Sequence, residues 1–96
     1  MIEPMSLIPV TLPHPDQFTE PMKVGQWLAE TGDELHTGKP LVEILLPGIN
    51  YIIESPVDGT LQQILLPTDK PVQPEDQLAL IAVANDEELE QGGEST

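Results

Sequence analysis

Apolar side chains recur along this chain in short runs, and proline, glycine or aspartate interrupts each run before three helical turns can accumulate. The pattern predicts strands over residues 7–12, 22–28, 41–46, 50–54, 59–65 and 77–83, with short extended pieces near Leu35 and Val72. Two β-branched runs flank Pro47-Gly48, and the second ends in the turn Ser55-Pro56-Val57-Asp58-Gly59, which is the signature of a hairpin. With Pro47 presetting its φ and Gly48 free to take a positive one, the tip suits a tight type II turn. Short strands with frequent turns imply an all-β fold, a sandwich or a small flattened barrel of two antiparallel sheets.

A gapless internal repeat doubles this pattern. An offset of 37 residues lays Val24 on Leu61, Trp27 on Ile64, Leu28 on Leu65, Leu35 on Val72, Leu41 on Leu78 and Ile44 on Ile81. The turn Thr31-Gly32-Asp33 falls on Thr68-Asp69-Lys70, so polar loops coincide as well. Two copies are too few for a solenoid and point to a pseudo-twofold axis. The spacing of three from Val24 to Trp27, and again from Leu61 to Ile64, breaks the period of two and predicts a bulge at equivalent points in both copies.

Composition narrows the function. The chain has 96 residues, enough for one small core and too few for a deep enzymatic cleft. Seventeen acids against three lysines give a formal charge of -14, which disfavours nucleic acid and anionic membranes. Without cysteine there is no disulfide framework and no thiolate metal site. The start at Met1 lacks the basic, apolar pattern of a signal peptide, and no run is long enough to span a bilayer as a helix, so a free-standing cytoplasmic protein is the expectation. Residues 1–5 are expected to be a flexible N-terminus, 6–84 the β domain, and 85–96 an acidic disordered tail with five acids and one leucine.

Candidate chemistry is sparse. His14 and His36 lack the spacing of a metal pair, and Asp33, Asp58, Asp69 and Asp76 fall in turns where carboxylates bond nearby amides. Ser6, Ser55 and Ser95 have no nucleophile-elbow setting, and Gly92-Gly93 lies among acids that would repel a phosphate. Catalysis is not expected. Trp27 reads as core or rim packing because it matches Ile64. The open question is the hairpin, where Leu46, Pro47, Gly48, Ile49 and Tyr51 are the candidate partner-binding residues.

With the repeat, the hairpin and the segments Val24 to Asp33, Gly38-Lys39-Pro40-Leu41-Val42-Glu43-Ile44 and Ser55 to Gly59, residues 6–84 resemble the lipoyl and biotinyl carrier domain family. The resemblance implies a barrel-sandwich hybrid whose hairpin projects a modified lysine from its tip, eleven residues before the glycine of the Ser-Pro turn. That position holds Gly48, and its neighbours Pro47 and Ile49 depart from the family pattern too. A swinging arm needs a lysine amine for its amide link and its rotatable stem. The expectation is therefore a module with no cofactor that binds a protein partner, such as subunits of a carrier-dependent enzyme complex, as an adaptor or regulatory subunit. The alternative is a lipoate or biotin carrier of a 2-oxoacid dehydrogenase, glycine-cleavage or carboxylase type complex, modified on Lys39 or Lys70. A third class is an accessory of a membrane complex, since efflux adaptors and redox-pump subunits contain similar hybrid-motif barrels.

Overall fold

A computed structural model describes residues 5–13, 16 and 21–84. Seven strands form: β1 (Met5–Thr11), β2 (Lys23–Trp27), β3 (Glu34–Leu35), β4 (Pro40–Leu46), β5 (Ile49–Glu54), β6 (Gly59–Ile64) and β7 (Gln77–Ala84). They make two antiparallel sheets, β1-β7-β6-β3 and β2-β4-β5, so the described chain is all-β as the sequence pattern predicts. The expected segments fall within a few residues of these strands. Near Val72 the extended piece is reduced to a single bridge between Lys23 and Pro71. The residues expected to form the acidic tail, 85–96, and residues 1–4 lie outside those described, whereas Met5 already belongs to β1.

The repeat is present bond by bond. Val24 faces Ile44 and Trp27 faces Val42, while Leu61 faces Ile81 and Ile64 faces Ala79, each 37 residues on. Both ladders slip at the same place, between Val24 and Gln26 and between Leu61 and Gln63, which is the doubled bulge that the spacing predicts. The loops interlock reciprocally. Gly32 N–H donates to Leu61 C=O at 2.8 Å, and Asp69 N–H donates to Val24 C=O at 2.8 Å. Leu61 N–H in turn donates to Asp33 C=O and Val24 N–H to Lys70 C=O. Even the backbone sign is shared, since Gly32 has φ 97° and Asp69 φ 76°, aspartate being one of the few other residues that enter the left-handed region readily.

The structure extends this symmetry to strands that the gapless repeat does not reach. Ile44 pairs with Tyr51 and Val42 with Ile53, while Ile81 pairs with Ile8 and Ala79 with Val10. β5 and β1 are therefore equivalents, with Tyr51 matching Ile8, Ile52 matching Pro9 and Ile53 matching Val10. The core follows the same rule: Val24 and Leu61, Leu35 and Val72, Leu41 and Leu78, Val42 and Ala79, Ile44 and Ile81, and Val10 and Ile53 are six equivalent pairs, all buried. Burying each large aliphatic side chain contributes roughly 1.5–3 kcal/mol before entropy is set against it. Trp27 packs at the rim of this core and donates its indole N–H to Leu66 C=O at 2.9 Å.

Candidate functional site: the hairpin end

The hairpin between β4 and β5 closes on two residues, with Leu46 paired to Ile49 across Pro47 and Gly48. Gly48 has φ 84°, the value a type II turn requires at its third residue, and Pro47 supplies the fixed φ before it. Pro47, Gly48 and Ile49 are exposed, and Ile49 is 61% accessible. Nothing at the tip offers an amine. No lysine lies between Lys39 and Lys70 in the sequence.

The five candidate hairpin residues do not form one surface. Leu46 is half-buried against the core, and with Pro47 it helps to wall a groove of about 520 Å³ together with Pro21, Met22, Lys23, Leu45, Asp69 and Pro71. Ile49 stands free beyond it. Tyr51 belongs to a different groove of about 640 Å³, which is lined by residues of both β1 and β5, Ile8, Val10, Ile52 and Ile53 among them. What joins Leu46 to Pro21, Met22 and Pro71 is the pairing of Lys23 with both Leu45 and Pro71, a contact across three chain segments that no local pattern announces.

Three lysines can be located against this end. Lys23 lies on the groove, 53% exposed, with its Nζ 3.7 Å from an Asp69 carboxylate oxygen. Lys70 adjoins it through its carbonyl bond to Val24. Lys39 precedes β4, so the length of that strand sets it about 20 Å from the tip, and its Nζ lies 3.4 Å from Glu34 C=O. Lys23 and Lys70 thus stand on either side of Asp69 in this region, on a chain whose formal charge is -14.

The symmetry supplies an internal control. A groove of about 460 Å³ is lined by Glu34, His36, Asp58, Gly59, Thr60, Ala82 and Ala84 among others. Counted by the repeat, these positions match Pro71, Gln73, Pro21, Met22, Lys23, Leu45 and Pro47. At five of these seven positions a polar or small residue, Glu34, Asp58, Gly59, Ala82 or Ala84, thus stands where Pro71, Pro21, Met22, Leu45 or Pro47 stands at the other end. In the polar groove the Asp58 carboxylate accepts the Thr37 backbone N–H at 2.7 Å and the Thr37 hydroxyl at 3.0 Å. Those two bonds, in that order, and the nearby His36 hold its carboxyl below the usual carboxylate range against a smaller opposing effect of burial.

The other candidates have structural roles. Asp33 and Asp76 carboxylates accept the backbone N–H of Glu30 and Gln73, and the Ser55 hydroxyl donates to Val57 C=O at 2.6 Å. His36 is exposed, and His14 lies outside the described residues. Among the described residues no three His, Asp or Glu side chains converge as a metal site.

Comparison with known proteins agrees with this geometry. A biotin/lipoyl family profile, described as biotin-requiring enzyme, matches residues 8–81. The chain belongs to the biotin/lipoyl domain family. Its similar relatives include the dihydrolipoyllysine-residue acetyltransferase components of the pyruvate dehydrogenase complex of Mycobacterium bovis and Mycobacterium tuberculosis. Each is 35% identical over 78 residues, covering 81% of this chain. The chain spans only 14% of the length of those relatives. In a biotin/lipoyl domain the group is held through a lysine amide, and the residues at this tip do not fit it: Pro47 and Gly48 present no nucleophile.

Proposed function

We propose that this biotin/lipoyl domain is a docking module that carries no acyl or carboxyl group and acts as an adaptor or regulatory subunit in an enzyme complex of the kind its relatives name. The supporting observation is the tip, a two-residue Pro47-Gly48 turn where an arm would have to be anchored. The apolar groove beside it, walled by Leu45, Leu46, Pro47 and Met22, is the face on which a protein partner is expected to dock. Coexpression with a lipoate ligase and a biotin ligase, followed by intact-mass measurement, tests the reading. The bare chain mass is the expected result; a lipoyl or biotinyl adduct overturns it.

The second reading is a carrier modified away from the tip, favoured by the 35% identity to proteins named for a dihydrolipoyllysine residue. Lys39 sits at the far end of β4 from the tip, and Lys70 in a turn beside the groove. Lys23 is the lysine that lines the hairpin-end groove itself. Peptide mapping of the three lysines in any adduct would say which holds it.

A further inference from the structure

Among the described residues, five of the six exposed large hydrophobic side chains lie on two of the four strands that end the sheets: Met5 and Leu7 on β1, and Ile49, Tyr51 and Ile52 on β5. The two edges are equivalents, yet they are guarded differently. β1 carries Pro9, paired with Leu80, at its centre. Its equivalent on β5 is Ile52.

The direction of the backbone groups follows from the hairpin. Leu46 and Ile49 flank a two-residue turn and so exchange hydrogen bonds, which makes Ile44 with Tyr51 and Val42 with Ile53 the next bonded pairs. Ser55 N–H, further along, again points to the β4 side, donating to Lys39 C=O. The N–H and C=O groups of Asn50, Ile52 and Glu54 are therefore directed away from β4, along the open edge. At the same place on β1, Pro9 has no N–H to offer. One edge is blocked at its centre and the other is not.

We propose that β5 pairs antiparallel with β5 of a second copy of this chain, centred on Ile52, joining β2-β4-β5 to its counterpart in one six-stranded sheet. This register keeps inner residues opposite inner residues and uses all three outward-facing positions of each copy. Ile52 meets Ile52 and Tyr51 meets Ile53. Asn50 meets Glu54, and a primary amide has two N–H groups, so one can remain with Glu43, where Nδ2 now lies 2.9 Å from Oε2, while the other reaches the carboxylate across the interface. The strand carries a single acid, Glu54, on a chain with seventeen, so the contact itself brings no like charges face to face. Repulsion comes from the rest of the molecule at a formal charge of -14 per copy. Salt therefore strengthens the association as the screening length falls from about 30 Å at 0.01 M to about 3 Å at 1 M. This inference does not rest on the hairpin-end reading.

Sedimentation equilibrium of the full chain over that salt range tests it. A dimer with a dissociation constant tighter than about 1 mM at high salt, weakening at low salt, is expected. Ile52→Pro copies onto β5 the residue β1 already tolerates, removes the central N–H donor, and should weaken dimerisation at least about tenfold. Ile52→Glu places like charges on the twofold axis and should do the same if the proline variant misfolds. Ile52→Val and Leu7→Glu should leave the constant within about twofold. A wild-type monomer throughout, a dimer indifferent to both Ile52→Pro and Ile52→Glu, or one disrupted equally by Leu7→Glu overturns the assignment.

Discussion

The groove beside the hairpin and the groove beside Ala84 occupy equivalent places in a doubled barrel, and their walls have diverged. Pro21, Met22, Leu45 and Pro47 stand at one end where Asp58, Gly59, Ala82 and Ala84 stand at the other. The core pairs beneath them have not diverged in the same way: Val24 and Leu61, Leu41 and Leu78, and Ile44 and Ile81 are all fully buried. A core position answers only to packing, so both copies keep large apolar residues there. A groove residue answers to what it meets outside. An apolar wall with Lys23 on its rim, set against a polar twin built on the same backbone, separates what the fold needs from what this surface has been given.

If the two halves share one core, equivalent truncations should be costly and alike. Ile44→Ala and Ile81→Ala should each lose about 2–5 kcal/mol, read from urea unfolding, since both side chains are completely buried. A loss confined to one of them would break the comparison. The next effect separates the ends by their glycines. At Gly59 an added Cβ would lie 2.5 Å from Ala82 C=O, a backbone atom that cannot rotate away, so Gly59→Ala should cost about 1–3 kcal/mol. At Gly48 the same carbon meets nothing within 4 Å, and the cost of Gly48→Ala is left to the positive φ, about 1–2 kcal/mol. Thermal unfolding of the two variants, with the larger loss at Gly59, would sharpen the distinction between contact and conformation; a loss at Gly48 as large as that at Gly59 would break it.

The division between legible and hidden features follows from range. Strands, hairpin and doubled bulge could be read from Val24, Trp27, Leu61 and Ile64 because periodicity is local and the first copy repeats in the second without a gap. The equivalence of β1 and β5 could not. β5 follows β4 in the chain, whereas β1 precedes the whole repeat, so the two match at an offset of 43 residues rather than 37, and only a few apolar positions such as Ile53 with Val10 carry the match. The tip chemistry was legible too, since Pro47-Gly48 needs no fold to show that it lacks an amine. The separation of Leu46 from Tyr51 into different grooves was not, because it depends on where β2 and Pro71 fall against β4 and where β1 falls against β5.

The apolar end should also take up an apolar anion that its twin rejects. The dye 8-anilinonaphthalene-1-sulfonate combines an aromatic body with a sulfonate suited to Lys23. Titration followed by amide shifts should move Lys23, Leu45, Leu46 and Asp69 and leave Glu34, Asp58 and Thr60 in place. Replacing Leu45 and Pro47 by the alanines of the opposite end, Leu45→Ala with Pro47→Ala, should weaken that binding about tenfold, or 1.4 kcal/mol. Shifts centred on Asp58 and Thr60 would place the sticky end wrongly.

The smallest effect belongs to the polar end. Hydrogen bonds from Thr37 depress the Asp58 carboxyl, so its ionised form is favoured by folding. A depressed acid contributes stability above its unfolded value, about 3.9 for aspartate, and that contribution is lost as pH falls through the lower folded value. Lowering the pH changes the charge of the whole acidic chain, a change that wild type and variant share. The test is therefore a difference: Asp58→Asn keeps an oxygen to accept from Thr37 but cannot titrate, so the gap in urea midpoint between wild type and variant should narrow as pH drops below about 4. Thr37→Val removes the hydroxyl bond and should reduce the same pH-dependent gap while leaving the backbone bond. An unchanged gap across that window would show that Asp58 is held no differently from an acid in water, and that its bonds from Thr37 do not favour the ionised form.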